Sequence, residues 1–257
     1  MNILMVGGGF MGSALLGCWT DHDIITIDPE PRILDARCLK NIGELPIDYA
    51  PDIIVLAVKP QVMEQVLVPY VEKFGARPIW VSVAAGLPLS FYKKFNPNLR
   101  FVRCMPNMPV LYQQGSIGLF SECKAMVESV VNALFKASGQ VVWLDDESQM
   151  DAVTAISGSG PAYFYLMVEM LTNAGIKQGL SLEQAALLAR QTLIGAGEVM
   201  KQATNTEAKT LRTQVTSPGG TTAAALAVMM ENDRFQDVIT DAVKAACDRS
   251  IELGKHY

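Results

Sequence analysis

A chain of 257 residues, half of them apolar, has the material for one large or two modest domains with a buried core. Its net charge of −5, with no cluster of Lys and Arg, excludes an electrostatic footprint for nucleic acid or an anionic membrane surface, so small-molecule partners fit better. Five cysteines (Cys18, Cys38, Cys104, Cys123, Cys247), odd in number and without a CxxC pair, suggest neither a disulfide framework nor a zinc site and predict a reducing cytoplasm.

The first apolar run, Ile3 to Val6, lacks a basic leader and passes directly into glycines. No apolar stretch approaches the roughly 18 residues a membrane helix needs, so neither export nor insertion is expected. Strands are predicted over 2–6, 24–27, 53–58, 79–83, 100–105, 116–120 and 141–144, alternating with helical segments. That alternation is how a doubly wound, mostly parallel α/β sheet is written. The run 53–58 is apolar on both faces, as a central strand covered by helices on both sides should be. After about residue 146 the pattern becomes helical, over 147–156, 161–178, 181–203, 207–214, 221–232 and 235–254. Within it, Ser181 and Gln184 form a capping-box pattern, and Lys177 followed by Gly179 reads as a helix end. The expected division is an α/β domain over 1–150 and an all-helical domain over 151–257.

Gly7, Gly9 and Gly12 fit G-x-G-x-x-G directly after the first strand and before an apolar helix. In a dinucleotide site the first glycine allows the tight turn, the second clears space for a pyrophosphate, and the third lets helix and strand pack closely. Asp28 closes the second strand about 20 residues on, where an acidic side chain grips the ribose 2′-hydroxyl of NAD and repels the 2′-phosphate of NADP. Arg32 lies close enough in sequence to offset that preference, and a plain polar turn is the other reading of residues 28–31. Ala57, Val58 and Lys59 end one strand; Ala84 and Ala85 follow another; small residues there leave room for a flat ring and ribose. Pro106 and Pro109 fix the chain around Asn107, a directed hydrogen-bonding group, while Cys104 reads as a small buried hydrophobe.

The second half carries two further glycine turns. One is Ser157-Gly158-Ser159-Gly160 ahead of Pro161. The other is Thr216-Ser217-Pro218-Gly219-Gly220-Thr221-Thr222, which opens into an Ala-rich helix. Its stiff Pro, its glycines and the N–H groups of the helix start make it an anion cradle, with an ordinary helix cap as the alternative.

With these two segments and the glycine motif, the chain resembles pyrroline-5-carboxylate reductase over essentially its whole length. The resemblance implies a Rossmann domain followed by a helical dimerisation domain, dimers that assemble further into decamers, and an active site between the cofactor domain of one subunit and the helical domain of its partner. It implies NADPH- or NADH-dependent reduction of (S)-1-pyrroline-5-carboxylate to L-proline, the last step of proline biosynthesis. By position, Val6, Gly7, Gly9, Phe10, Met11 and Gly12 would line the cofactor, together with Asp28, Ala57, Val58 and Lys59. Ala84, Ala85 and Asn107 complete that set, with Gln214 standing where relatives carry Asn. Asp28 stands where NADPH-preferring members carry small or basic residues. The substrate carboxylate would meet Ser217, Gly220, Thr221 and Thr222, Thr222 would approach the ring nitrogen as the catalytic hydroxyl, and Glu147 matches a substrate-pocket position.

The residues that the chain lacks agree with this chemistry. Its two histidines, His22 and His256, sit in no motif, which leaves a histidine acid or a metal site without support. A carbonyl reduction needs a placed acid, whereas an imine can arrive protonated and take a hydride directly. Two rivals share the plan. A 3-hydroxyacid dehydrogenase would use Asn173 and Lys177, spaced i, i+4, as an acid pair, but Lys177 is better explained as a helix-end cation. A non-catalytic dinucleotide sensor would keep residues 7–12 and have no need of two more glycine turns.

Overall fold

A computed structural model describes residues 1–30 and 37–255. Arg32 and His256 lie outside the described residues. Two compact units are present: Met1–Ser159 together with Ala245–Tyr257, and Gly160–Lys244.

The first unit is an eight-stranded sheet in the order β3-β2-β1-β4-β5-β6-β7-β8. Its strands are β1 (Asn2–Val6), β2 (Asp23–Ile27), β3 (Cys38–Leu39), β4 (Ile53–Leu56), β5 (Ile79–Ser82), β6 (Arg100–Met105), β7 (Gly115–Phe120) and β8 (Gly139–Trp143). Every pairing is parallel except β6 with β7. Each strand expected from the sequence is present, the third beginning at Ile53 and ending at Leu56, and β3 is an addition of two residues.

Side chains alternate across this sheet and fill two cores. Ile3, Met5, Ile53, Val55, Val81 and Val102 meet Ala14 and Leu15 of α1 (Phe10–Leu16) and Val127, Val131 and Phe135 of α4 (Lys124–Phe135). Leu4, Val6, Ile54, Leu56, Trp80 and Phe101 meet Met63, Leu67 and Tyr70 of α2 (Met63–Phe74) and Leu89 and Tyr92 of α3 (Leu89–Lys93). Strands covered on both faces explain why 53–56 reads as an unbroken apolar run.

After β8 the chain forms α5 (Gln149–Val153) and continues without a break into a π-helical turn, Thr154–Gly158. The sequence predicted helix to residue 156 and then a Gly and Ser turn over 157–160. Instead Ser159 N donates to Thr154 O at 2.9 Å, the i→i+5 bond that keeps the segment helical.

The second unit contains α6 (Gly160–Lys177), α7 (Leu182–Gln202), α8 (Ala208–Gln214) and α9 (Thr221–Met230), and α10 (Arg234–Gly254) starts in it. α6 and α7 approach closely: a Cβ on Gly175 would lie 3.1 Å from that of Ala185. Gly179 has φ +96°, and the Ser181 and Gln184 capping box is complete, with bonds of 3.2 and 3.0 Å. These features bear out the helix end and start read from sequence.

Candidate active site

The parallel strands end level with one another, with Val6 beside both Ile27 and Leu56. Strand order reverses between β2 and β4 around β1, and the crevice beyond that point is where open α/β sheets take ligands. The glycine motif sits there. Gly7 has φ +105°, and a Cβ on it would lie 2.6 Å from Ala57 O. A Cβ on Gly12 would lie 2.2 Å from Gly7 O, so the helix start presses on the strand end with no room for any side chain. Gly9 differs: a Cβ there would meet nothing within 4 Å. No contact within the chain requires glycine at position 9, and the open backbone there leaves room for a pyrophosphate. This is the fit expected of a dinucleotide.

Asp28 follows β2 and accepts from Gly8 N at 2.5 Å and Glu30 N at 2.8 Å. Its carboxylate is thereby fixed at the edge of the glycine loop. Ala57 and Val58 are half-buried after β4, Lys59 is exposed, and Phe10 is exposed at the start of α1 beside Met11. Ala84 and Ala85 follow β5, half-buried. The structure therefore brings the cofactor positions of the first 85 residues to one rim of the sheet.

Asn107 is buried and its amide is engaged within the unit. Oδ1 accepts from Ser116 N at 2.9 Å and Nδ2 donates to Ser157 O at 3.0 Å, which ties the π-helical turn to the start of β7. Gly158 admits Met105 to that junction, since a Cβ there would lie 2.8 Å from Met105 Cε. Glu147 has partners too: its Oε1 accepts from Arg103 Nη1 at 2.8 Å and from Leu89 N at 2.6 Å. No periodicity marks that arrangement, because the three residues come from three separate segments. Cys104 is buried, and burial pushes its thiol well above the usual range, as a packing residue requires. Burial likewise raises the Tyr92 hydroxyl far above its ordinary value, so it stays a donor, to Ser82 Oγ at 2.8 Å.

In the second unit, residues 217–220 form a turn closed by Gly220 N donating to Ser217 O at 3.0 Å. Pro218 at its second position and Gly219 at its third, with φ +73°, are the residues that a type II turn demands. Gly220 is the N-cap of α9, and no side chain caps the helix. A Cβ on Gly220 would lie 2.5 Å from Ser217 Oγ, so the hydroxyl lies directly over the helix start. The Ser or Thr side-chain cap that was the alternative reading is not formed here. Thr221 and Thr222 open the helix, Thr222 half-buried, and Gln214 ends α8 with its side chain exposed. Asn173 and Lys177 are both exposed on α6.

The chain is similar to known proteins. A family model described as pyrroline-5-carboxylate reductase dimerisation matches residues 147–253. A pyrroline-5-carboxylate reductase from Pseudomonas aeruginosa is 42% identical, over 99% of this chain and 97% of that protein. Among solved structures, a pyrroline carboxylate reductase from Plasmodium falciparum with NADP bound is 32% identical, with a TM-score of 0.82 over 99% of this chain and 98% of that one. A pyrroline-5-carboxylate reductase from Coxiella burnetii is 30% identical, with a TM-score of 0.88 over 98% of both chains.

Proposed function

The chain belongs to the pyrroline-5-carboxylate reductase family, and from that premise we infer that it reduces (S)-1-pyrroline-5-carboxylate to L-proline, the last step of proline biosynthesis. Bound NAD(P)H supplies a hydride to the imine carbon. The rim around Gly7, Gly9 and Gly12 holds the cofactor. Asp28, its carboxylate fixed by two backbone amides, accepts from a ribose 2′-hydroxyl and repels a 2′-phosphate, which favours NADH.

The observation that carries the substrate reading is the uncapped start of α9 behind the 217–220 turn. Backbone amides and the Ser217 and Thr221 hydroxyls there suit a carboxylate. Thr222, one residue further into the helix, donates to or accepts from the ring nitrogen. A cyclic imine that arrives protonated needs no acid from the chain, so positioning does most of the work.

The protein acts as a homodimer through residues 147–253, with decamers as the further assembly. Helices α8 and α9 support this, since neither buries a single residue within the chain. Five free cysteines suit a reducing cytoplasm, and no helix among the described residues is long and apolar enough to cross a membrane.

The test is the loss of reduced nicotinamide with pyrroline-5-carboxylate, with a 3-oxoacid and with neither, using NADH and NADPH in turn. Oxidation with the imine alone, faster with NADH, is expected. No oxidation with the imine would overturn the reading.

A further inference from the structure

The loop between β5 and α3, residues 83–88, carries the cofactor positions Ala84 and Ala85, and side chains from elsewhere hold it. At its start, Ala84 N donates to Ser82 Oγ at 3.2 Å, and Tyr92, from α3, donates to the same oxygen. In its middle, Gly86 has φ +80° and lies against the last turn of α10, where a Cβ on Gly254 would come within 2.6 Å of Gly86 O. At its end the chain enters α3 through Pro88, an N-cap without a side-chain bond of its own. The first amide of that helix, Leu89 N, instead donates to Glu147 Oε1 at 2.6 Å, from 58 residues downstream.

Glu147 is itself held. Arg103 on β6, only 7% exposed, donates to the same oxygen at 2.8 Å. A buried guanidinium beside the carboxylate fixes its direction. The pair therefore anchors the far end of the loop to the middle of the sheet. This is a structural task for a residue whose sequence position suggests the substrate pocket.

We propose that Glu147 is a positioning residue for the cofactor: it accepts from Leu89 N, oriented by Arg103, and so holds the loop that presents Ala84 and Ala85 to NAD(P)H. Only the identity of the ligand rests on the reductase reading. Glu147→Gln keeps an acceptor for Leu89 N and loses the charge facing Arg103, while Glu147→Ala loses both.

The experiment titrates NADH and NADPH against the full-length protein by nicotinamide fluorescence, without imine, and then measures KM for the imine at saturating cofactor. Glu147→Ala should weaken both cofactors alike, on the order of tenfold, with KM for the imine within about twofold of wild type and Glu147→Gln recovering part of the loss. A raised KM for the imine with unchanged cofactor affinity would make Glu147 a substrate contact and overturn the proposal. So would unchanged binding in both variants. If Glu147→Ala does not fold, Glu147→Gln alone decides by the same readings. A wild-type protein that binds reduced nicotinamide but turns over no imine removes the reductase reading, and the cofactor titrations of the two variants then decide the proposal by themselves.

Discussion

The sheet unit buries its apolar side chains in itself, whereas the helical unit leaves many of its own outside. In the first unit Trp19, Trp80, Phe101 and Phe135 are closed off from solvent, with strand residues on both faces of the sheet beside them. In the helical unit the only buried apolar side chains among the described residues are Ala185 and Ala189. Phe164, Tyr165, Leu187 and Val228 are each more than half exposed. Exposed apolar side chains in that number mark an interaction face, and the dimerisation match over residues 147–253 spans them. One unit closes a core from its own sequence, whereas the other presents its apolar side chains over the region that the dimerisation model matches.

Two glycines of one motif break the comparison most sharply. Gly12→Ala drives a Cβ into a backbone oxygen and should cost more than about 3 kcal/mol of stability, read as a lower thermal midpoint. Gly9→Ala meets nothing in the chain, so the midpoint should hold while NAD(P)H affinity falls on the order of tenfold. Equal melting losses in both would mean that Gly9 serves the fold and not the cofactor.

A charge in α9 tests the other half of the comparison. Val228→Asp should weaken association by about 2 kcal/mol, roughly thirtyfold in dissociation constant, seen as a smaller species by sedimentation. An assembly that tolerates the aspartate would place the interface elsewhere.

Thr222→Val should lower turnover about tenfold with the cofactor dissociation constant little changed. Unaltered steady-state kinetics would remove Thr222 from the active site. The smallest effect is expected at Asp28: Asp28→Ser should raise the preference for NADPH over NADH about fivefold in kcat/KM. An unmoved ratio would assign that carboxylate solely to its Gly8 and Glu30 amides.

What the sequence reveals follows physical period and range. β4 is legible because both of its faces are buried, which writes an apolar run. β3 is invisible because two residues have no period; only its pairing of Cys38 with Thr26 and Leu39 with Ile27 makes it a strand. Ser157-Gly158 has the composition of a turn, yet one i→i+5 bond keeps it helical. The glycine loop and the 217–222 segment are legible because backbone demands specific residues there. The engagement of Glu147 with Leu89 and Arg103 is not, since no local pattern links partners 44 and 58 residues apart. Apolar helices are a further ambiguity: internal core and subunit interface have the same composition, and only burial separates them.

The strand order also suits the direction in which a ribosome delivers the chain. β1 is made first; β2 and β3 add to one edge, then β4 to β8 add in turn to the other. No strand has to insert between two neighbours that are already paired, so the sheet can grow outward during synthesis. The last turn of α10 is the exception. Ser250 Oγ reaches Asp151 Oδ1 at 2.6 Å, and Gly254 slides under Gly86. The loop after β5 acquires its third fixed point only once translation has passed Gly254, so a nascent chain with a finished sheet still lacks a finished rim where we propose that the cofactor binds.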